Sequence, residues 1–120
     1  MPNTLNKQQR LCGELKVANL FRQGANIIAY PLRICYLYTT GEPAAVMMVS
    51  VPKKLIHRAN KRNLLKRRIR EAYRTHQDLL PDTATDDNRQ LQLAFIYISN
   101  EVATYRQIEK AIIKGIGKIH

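Results

Sequence analysis

The sequence is poor in the residues that mark several common protein classes. It has no tryptophan and only two cysteines, Cys12 and Cys35, which are too far apart for a CxxC motif. No histidine stands at a spacing that would complete a tetrahedral metal site with them. Apolar runs stay far below the roughly eighteen residues of a membrane span, and the polar start MPNTLNKQQR lacks the apolar core of a signal peptide. We therefore expect a reduced, cytoplasmic protein with no membrane partner.

Acidic residues are also scarce, and this imbalance indicates a polyanionic partner. The chain has 9 Asp and Glu residues against 20 Lys and Arg residues, and a formal net charge of +11. Such an excess of positive charge is typical of nucleic-acid-binding proteins. A length of 120 residues with 45% hydrophobic content suits one domain around a modest core, so we expect a single domain over residues 1–120.

The positive charge is concentrated in one segment, residues 53–74. This segment holds ten Lys or Arg residues and one acid, Glu71, which gives it a net charge of +9. The remaining ten cations and eight acids leave only +2 for the rest of the chain. A narrow cluster of this kind favours a binding surface over a general solubility role.

The first half of the chain predicts a helix followed by strands. Apolar residues recur at helical spacing over 11–21, and Gly24 follows as a stop. The β-branched and aromatic residues of 27–39, interrupted by Pro31, predict a short edge strand and then a longer strand. After a turn at 41–43, the apolar run 44–51 predicts a strand that is buried on both faces and pairs with the strand before it.

The second half predicts helix, strand and helix. Residues 58–80 contain no Gly or Pro and are rich in helix formers, and Pro81 ends this helix. The polar segment 81–90 predicts a flexible loop and 91–98 a core strand. Thr104 and Gln107 form a capping-box pattern that opens a last helix, whose apolar side is Ile108, Ile112, Ile116 and Ile119. We expect an α/β fold, an α+β sandwich with a small mixed sheet of about four strands and three helices.

Two neighbouring stripes run along the long basic helix. An apolar stripe can pack on the sheet and comprises Leu65, Ile69, Ala72, Tyr73 and His76. A cationic stripe with four-residue steps comprises Arg62, Lys66, Arg70 and Arg74. Each like-charge pair at this spacing costs roughly 0.2–0.5 kcal/mol, a cost that a bound polyphosphate would reverse.

This segment resembles the signature of the bacterial ribonuclease P protein family. A Lys-Lys pair after a strand, Lys53-Lys54, precedes an Arg-Asn-x-x-Lys-Arg-x-x-Arg run on a helix, Arg62 to Arg70. The order of elements over residues 11–119 is also similar to that of the family, and so is the segment Leu20 to Gly24, in the first helix and the turn after it. The resemblance implies a left-handed crossover into the basic helix, against the general right-handed preference.

The resemblance implies that the chain is a subunit of an RNA-based endoribonuclease that removes the 5′ leader from precursor tRNA. Its partners would be ribonuclease P RNA and precursor tRNA, with Mg²⁺ held mainly by the RNA and no catalytic residue or metal site on this chain. The expected RNA-binding residues are Lys53, Lys54, Arg58, Lys61, Arg62, Asn63, Lys66, Arg67, Arg68, Arg70 and Arg74.

The resemblance also implies a cleft between the first helix and the open sheet face that holds the single-stranded leader. Its expected lining is Phe21, Arg33, Cys35 and Leu37, because aromatic and guanidinium planes stack on unpaired bases. The chain departs from the family pattern at Val17, where many members have an aromatic residue, and at Pro52, where many have a serine. The first departure weakens the case for leader stacking.

Three alternatives remain open at this point. The chain could cleave RNA itself with His57, His76 or Cys35, although nineteen residues separate the two histidines. It could be a generic RNA-binding or ribosome-assembly protein, since similar folds host many RNA partners. A basic-region DNA reader is the third alternative, but Pro81 interrupts any following heptad repeat, and we expect no DNA partner.

Overall fold

The computed structural model describes residues 14–40, 45–80 and 89–119. Within these ranges three α-helices and four strands form an α+β fold, which confirms the predicted class. In chain order they are α1 (Glu14–Gln23), β1 (Ala25–Ala29), β2 (Leu32–Thr40), β3 (Ala45–Ser50), α2 (Ala59–Thr75), β4 (Arg89–Tyr97) and α3 (Tyr105–Ile116). None of the helices in these ranges has the length and apolarity that a bilayer crossing requires.

The four strands form one mixed sheet in the order β1-β2-β4-β3. β4 pairs antiparallel with β2, from Leu32 opposite Tyr97 to Thr40 opposite Arg89, and parallel with β3. The prediction that β3 pairs with the preceding strand is therefore wrong, because β4 lies between them. The parallel β3–β4 pair is joined through α2, as the predicted crossover requires, and its left-handed sense stays a prediction.

Burial explains why β4 takes the central place. Its residues from Gln90 to Tyr97 are all buried, whereas in β3 only Val46 and Met47 are. A strand with two apolar faces is most stable between two neighbours and two layers, while a strand that buries only its middle is stable at an edge. The prediction that β3 is buried on both faces is wrong for the same reason.

Alternate residues of the strands separate two hydrophobic cores. The larger core lies between the sheet and helices α2 and α3, and Ile34, Leu93 and Phe95 are fully buried there. The smaller core lies under α1 and contains Leu20 and Cys35. Each side chain therefore has a defined face, which the two-residue period of a strand fixes.

Most predicted helix boundaries agree with the structure. Gly24 ends α1, since a Cβ at this position would lie 2.5 Å from the carbonyl oxygen of Leu20 and 2.8 Å from that of Tyr36. The capping box of Thr104 and Gln107 opens α3. The basic helix is shorter than predicted, because α2 ends at Thr75 and a 3₁₀ turn occupies Gln77–Leu79.

Several predictions fall on segments that the structure does not describe. The turn at 41–43, Cys12 and Pro81 lie outside the described residues. The predicted loop 81–90 is outside them up to residue 88, and its last two residues belong to β4.

The stability of the larger core is expected to fall at high pH because of Tyr73. Burial raises the pKa of its hydroxyl to about 12, and a hydrogen bond with Gln77 partly opposes this shift. The folded state thus keeps a proton that the unfolded state loses above about pH 10. The contribution of Tyr73 to stability is therefore fully present below about pH 10 and decreases as the pH rises toward about 12.

We predict that the wild type loses roughly 2–3 kcal/mol more than Tyr73→Phe between about pH 10 and pH 12, since each unit of pKa shift is worth about 1.4 kcal/mol. Urea midpoints of both proteins over this pH range measure the difference. Parallel curves for the two proteins would contradict the role of the buried hydroxyl.

Candidate nucleic-acid interface

The segment between β3 and α2 holds two lysines at an exposed turn. The carbonyl oxygen of Pro52 accepts hydrogen bonds from the N–H groups of Leu55 and Ile56, both at 3.1 Å. Ile56 is buried and anchors the turn to the larger core. Lys53 and Lys54 are exposed on the outside of this turn. A well-anchored turn therefore presents two adjacent positive charges.

Arg62 connects this segment to the basic helix. Its guanidinium donates hydrogen bonds to the carbonyl oxygens of Ile56 at 3.0 Å and His57 at 2.7 Å. The side chain is only half-exposed. Arg62 consequently holds the lysine turn against the first turn of α2, a structural role that the sequence did not indicate.

The N-terminus of α2 is suited to an anion. Its N-cap residue, Arg58, makes no side-chain capping hydrogen bond, and the first turn contains no acid. Helix N-termini carry partial positive charge and unsatisfied N–H donors, and acids normally stabilise them. Here the cations Arg58, Lys61 and Arg62 gather at this end, which a phosphate group would stabilise.

One side of α2 is fixed by the core, and most of the rest is cationic. Leu65, Ile69, Ala72 and Tyr73 are buried, which confirms these four members of the predicted apolar stripe. The fifth predicted member, His76, is instead a half-exposed residue at the C-cap of α2. The only ion pairs among the described residues are Arg74 with Glu71 and His76 with Glu109. The hydrogen bond from Arg74 lowers the pKa of the Glu71 carboxyl.

Seven cations of the predicted surface have neither an acidic partner nor a backbone acceptor in the described part of the chain, unlike Arg74, Arg62 and Arg68. Four of them lie in the turn and the first turn of the helix, and three lie farther along α2. They are Lys53, Lys54, Arg58, Lys61, Lys66, Arg67 and Arg70. Asn63 is exposed on the same helix.

Arg68 differs from its neighbours. It donates a hydrogen bond of 2.5 Å to the carbonyl oxygen of Ala103, in the segment before α3. Because this bond ties α2 to the start of the last helix, Arg68 has a structural contact beside any contact with RNA. The sequence grouped it with the RNA-binding residues and could not show this partner thirty-five positions away.

The second predicted site lies on the opposite face of the sheet, beside α1. The side chain of Phe21 is 41% exposed at the end of this helix, and Arg33 and Leu37 on β2 are half-exposed. Cys35 lies between them but is fully buried, and its thiol donates to the carbonyl oxygen of Leu20 at 3.4 Å. The predicted cleft lining thus needs one correction, since Cys35 packs beneath α1 and offers no surface to a ligand.

Arg33 has an unusual environment. Its Nε atom is buried and has no hydrogen-bond partner among the described residues. Buried donors without a partner are uncommon in folded proteins.

A groove of about 270 Å³ continues this face between α1 and the ends of β2 and β4. The sequence pattern did not indicate this groove. The alternation of Arg33, Cys35 and Leu37 could have been extended to Thr39, but the residues of β4 required the sheet order. The groove is lined by Leu15, Lys16, Asn19, Thr39, Thr40, Gln90 and Gln92.

Cys35, His76 and His57, the candidates for direct RNA cleavage, lie in three separate environments. Burial raises the pKa of the Cys35 thiol, an effect that Arg33 partly opposes, so the thiol form is favoured. His76 lies 3.0 Å from a carboxylate oxygen of Glu109 on α3, whereas His57 is exposed before α2. Among the described residues no group of three His, Cys, Asp or Glu side chains could hold a metal ion.

Comparisons with known proteins agree on one family. The sequence model of the family described as Ribonuclease P matches residues 5–120. A ribonuclease P protein component of Porphyromonas gingivalis is 37% identical over 117 residues, which cover 96% of this chain and 85% of that protein. One from Chlorobium phaeobacteroides is 35% identical over 107 residues, 80% of this chain and 73% of that protein.

The fold agrees as well. The structure of the RNase P protein from Thermotoga maritima superposes with a TM-score of 0.75 at 17% identity, and the match covers 92% of this chain and 97% of that one. The match to the family model over nearly the whole sequence, together with this fold, shows that the chain belongs to the ribonuclease P protein family.

Proposed function

We propose that this chain is the protein subunit of a ribonuclease P holoenzyme and helps a catalytic RNA remove the 5′ leader of precursor tRNA. The reaction is an endonucleolytic hydrolysis of a phosphodiester bond that leaves a 5′-phosphate on the tRNA. The observation that carries the proposal is the cluster of seven cations on and before α2 that have neither an acidic partner nor a backbone acceptor among the described residues. Like charges so close together are stabilised when RNA phosphates lie against them.

The protein supplies charge and position, and the RNA supplies the chemistry. Phosphate oxygens and water are the ligands that Mg²⁺ prefers, whereas the α2 surface offers almost only cations. Its residues do not fit a magnesium site of their own. Neutralising RNA phosphates lowers the repulsion within the folded RNA and so reduces the magnesium concentration that the RNA needs.

The face beside α1 is the proposed site for the single-stranded leader. Phe21 offers an exposed ring for stacking, and Arg33 offers a half-exposed cationic side chain. Leu37 adds a half-exposed apolar contact. Because mature tRNA has no leader, binding here favours the precursor over the product.

We predict that Phe21→Ala weakens holoenzyme binding of precursor tRNA by roughly 5-fold to 100-fold and leaves mature tRNA affinity unchanged, since base stacking on an aromatic ring is worth about 1–3 kcal/mol. Arg33→Gln is expected to act in the same direction. Equilibrium binding of both tRNAs to holoenzyme assembled with each variant measures the effect.

Ile113→Ala is the matched control, because Ile113 on α3 is 41% exposed, as Phe21 is. It should leave both affinities at the wild-type value. An equal loss for precursor and mature tRNA with Phe21→Ala, or no loss at all, would disprove the leader site.

A further inference from the structure

A pocket of about 320 Å³ lies away from both sites described above. Three segments enclose it: the turn between β1 and β2, the segment after β4, and the outer side of α3. Its volume is at the lower end of the roughly 300–1,000 Å³ found for small-molecule sites. The lining residues that matter here are Tyr30, Ser99, Glu101, Val102, Lys110 and Lys114.

One wall of the pocket is cationic. Lys110 and Lys114 line the pocket, and Arg106 lies one helical turn before them, outside the lining. The three follow one another at four-residue steps, and all are exposed on α3. Like charges at this spacing destabilise a helix unless a polyanion binds. None of the three forms an ion pair with an acid among the described residues.

Other lining residues of the pocket are aromatic or apolar. The ring of Tyr30 is 69% exposed, and Val102 is 41% exposed. Such an exposed ring is a stacking surface for an unpaired base, and nearby ammonium groups can hold its phosphate. The pocket thus combines the two elements of a single-stranded RNA site in one lining.

The floor of the pocket is held in place by hydrogen bonds. The Tyr97 hydroxyl donates to the carbonyl oxygen of Glu101 and accepts from the N–H of Ala103 at 2.9 Å. Arg68 of α2 donates to the carbonyl oxygen of Ala103. This last bond joins the segment that lines the pocket to the basic helix, so the pocket adjoins α2.

We propose that this pocket binds one unpaired RNA nucleotide, with its base stacked on Tyr30 and its phosphate held by Lys110 and Lys114. The inference rests on the proposed function for the identity of the polyanion as RNA. The nucleotide can come from ribonuclease P RNA or from precursor tRNA, which present the same chemistry.

Glu101 is the one acid on the pocket wall, and its effect is to orient the nucleotide. A carboxylate repels phosphate, so the phosphate lies toward the two lysines. It also accepts hydrogen bonds from exocyclic amines such as that of cytosine. A short oligocytidylate is therefore a suitable probe for the isolated protein.

The test is photo-crosslinking of the full-length chain, read out by mass spectrometry. Trypsin releases residues 23–33 as one peptide, which contains Tyr30 and excludes Phe21. Holoenzyme assembled with ribonuclease P RNA and precursor tRNA is irradiated, and the attached nucleotide is identified. In parallel, the isolated chain is irradiated with a ten-nucleotide oligocytidylate.

We expect a nucleotide on Tyr30 in both samples, and at least about fivefold less of it with Lys110→Gln, since each phosphate contact is worth about that factor near 0.15 M salt. Lys118→Gln is the matched control. Lys118 is an exposed lysine just after the end of α3, and it does not line the pocket. It should leave the yield unchanged. The RNA from which the attached nucleotide comes identifies the source.

Normal assembly with ribonuclease P RNA, without a crosslink on Tyr30 in either sample, would overturn the inference and leave the proposed function intact. The same result would follow if the pocket served an acidic protein. A chain that does not assemble with the RNA, yet crosslinks to oligocytidylate at Tyr30, would support the pocket and contradict the proposed function.

Discussion

Replacing Lys66, Arg67 and Arg70 together by glutamine is expected to weaken binding to ribonuclease P RNA roughly a hundredfold near 0.15 M salt. All three side chains lie on the exposed or half-exposed sides of α2, and none has an acidic partner among the described residues. Each phosphate contact releases counterions, so each lost contact reduces both the affinity and its dependence on salt. The three changes leave the buried stripe of the helix untouched.

A salt series of dissociation constants measures this prediction. The slope of log affinity against log salt should decrease by about 2 to 3 for the triple variant and by about 0.7 to 0.9 for Arg67→Gln alone. Arg22→Gln is the control, since Arg22 is an exposed arginine on α1 that donates to Asn19. An unchanged slope for the triple variant would show that α2 does not contact RNA phosphates.

The largest effect on stability is expected at Phe95. Its side chain is fully buried in the central strand, and its ring centroid lies 5.5 Å from that of Tyr73 on α2. It also stands opposite Ile34 on β2 and Val49 on β3. Phe95→Ala should destabilise the protein by about 3–5 kcal/mol, because it removes a large apolar side chain and leaves a cavity.

This loss is a large part of the roughly 5–15 kcal/mol that stabilises an ordinary domain. Urea unfolding followed by circular dichroism should show a lower midpoint with an unchanged slope. Phe21→Ala makes the same chemical change at a side chain that is 41% exposed, so it should cost much less. Equal losses for the two variants would contradict the central position of β4.

The pairing of β3 with β4 shows where prediction from sequence ends. The apolar run of β3 and the apolar run of β4 both resemble core strands, and periodicity cannot decide which of them lies between two others. That choice depends on burial summed over the whole sheet, where β4 is buried along nearly its whole length. By contrast, the capping box of α3 is a local interaction over three residues, and the sequence predicts it correctly.

In the candidate site, too, the sequence predicts local features but not contacts between distant segments. The apolar stripe of α2 follows from the helical period, and the buried positions Leu65, Ile69 and Tyr73 confirm it. The sequence could not distinguish cations that bind protein atoms from cations left for RNA. Arg62 and Arg68 each donate to backbone carbonyls. Those acceptors become visible only when the segments that carry them are placed in three dimensions.

The end of the basic helix could not be predicted from local sequence either. Residues 58–80 contain no helix breaker, so propensity alone extends the helix to Pro81. The helix ends at Thr75, and the ring of the C-cap residue His76 contacts the carboxylate of Glu109 on α3. A tertiary contact thus accompanies a boundary that local preference does not mark.

Cleavage of a 5′-extended precursor tRNA at low magnesium by a bacterial ribonuclease P RNA, with and without this protein, tests the central claim most directly. The RNA alone should cleave slowly under these conditions, and the protein should restore cleavage at the mature 5′ end while cleaving nothing by itself. If the RNA gains nothing from the protein, the chain is instead a generic RNA-binding or ribosome-assembly protein, and the proposed function is wrong.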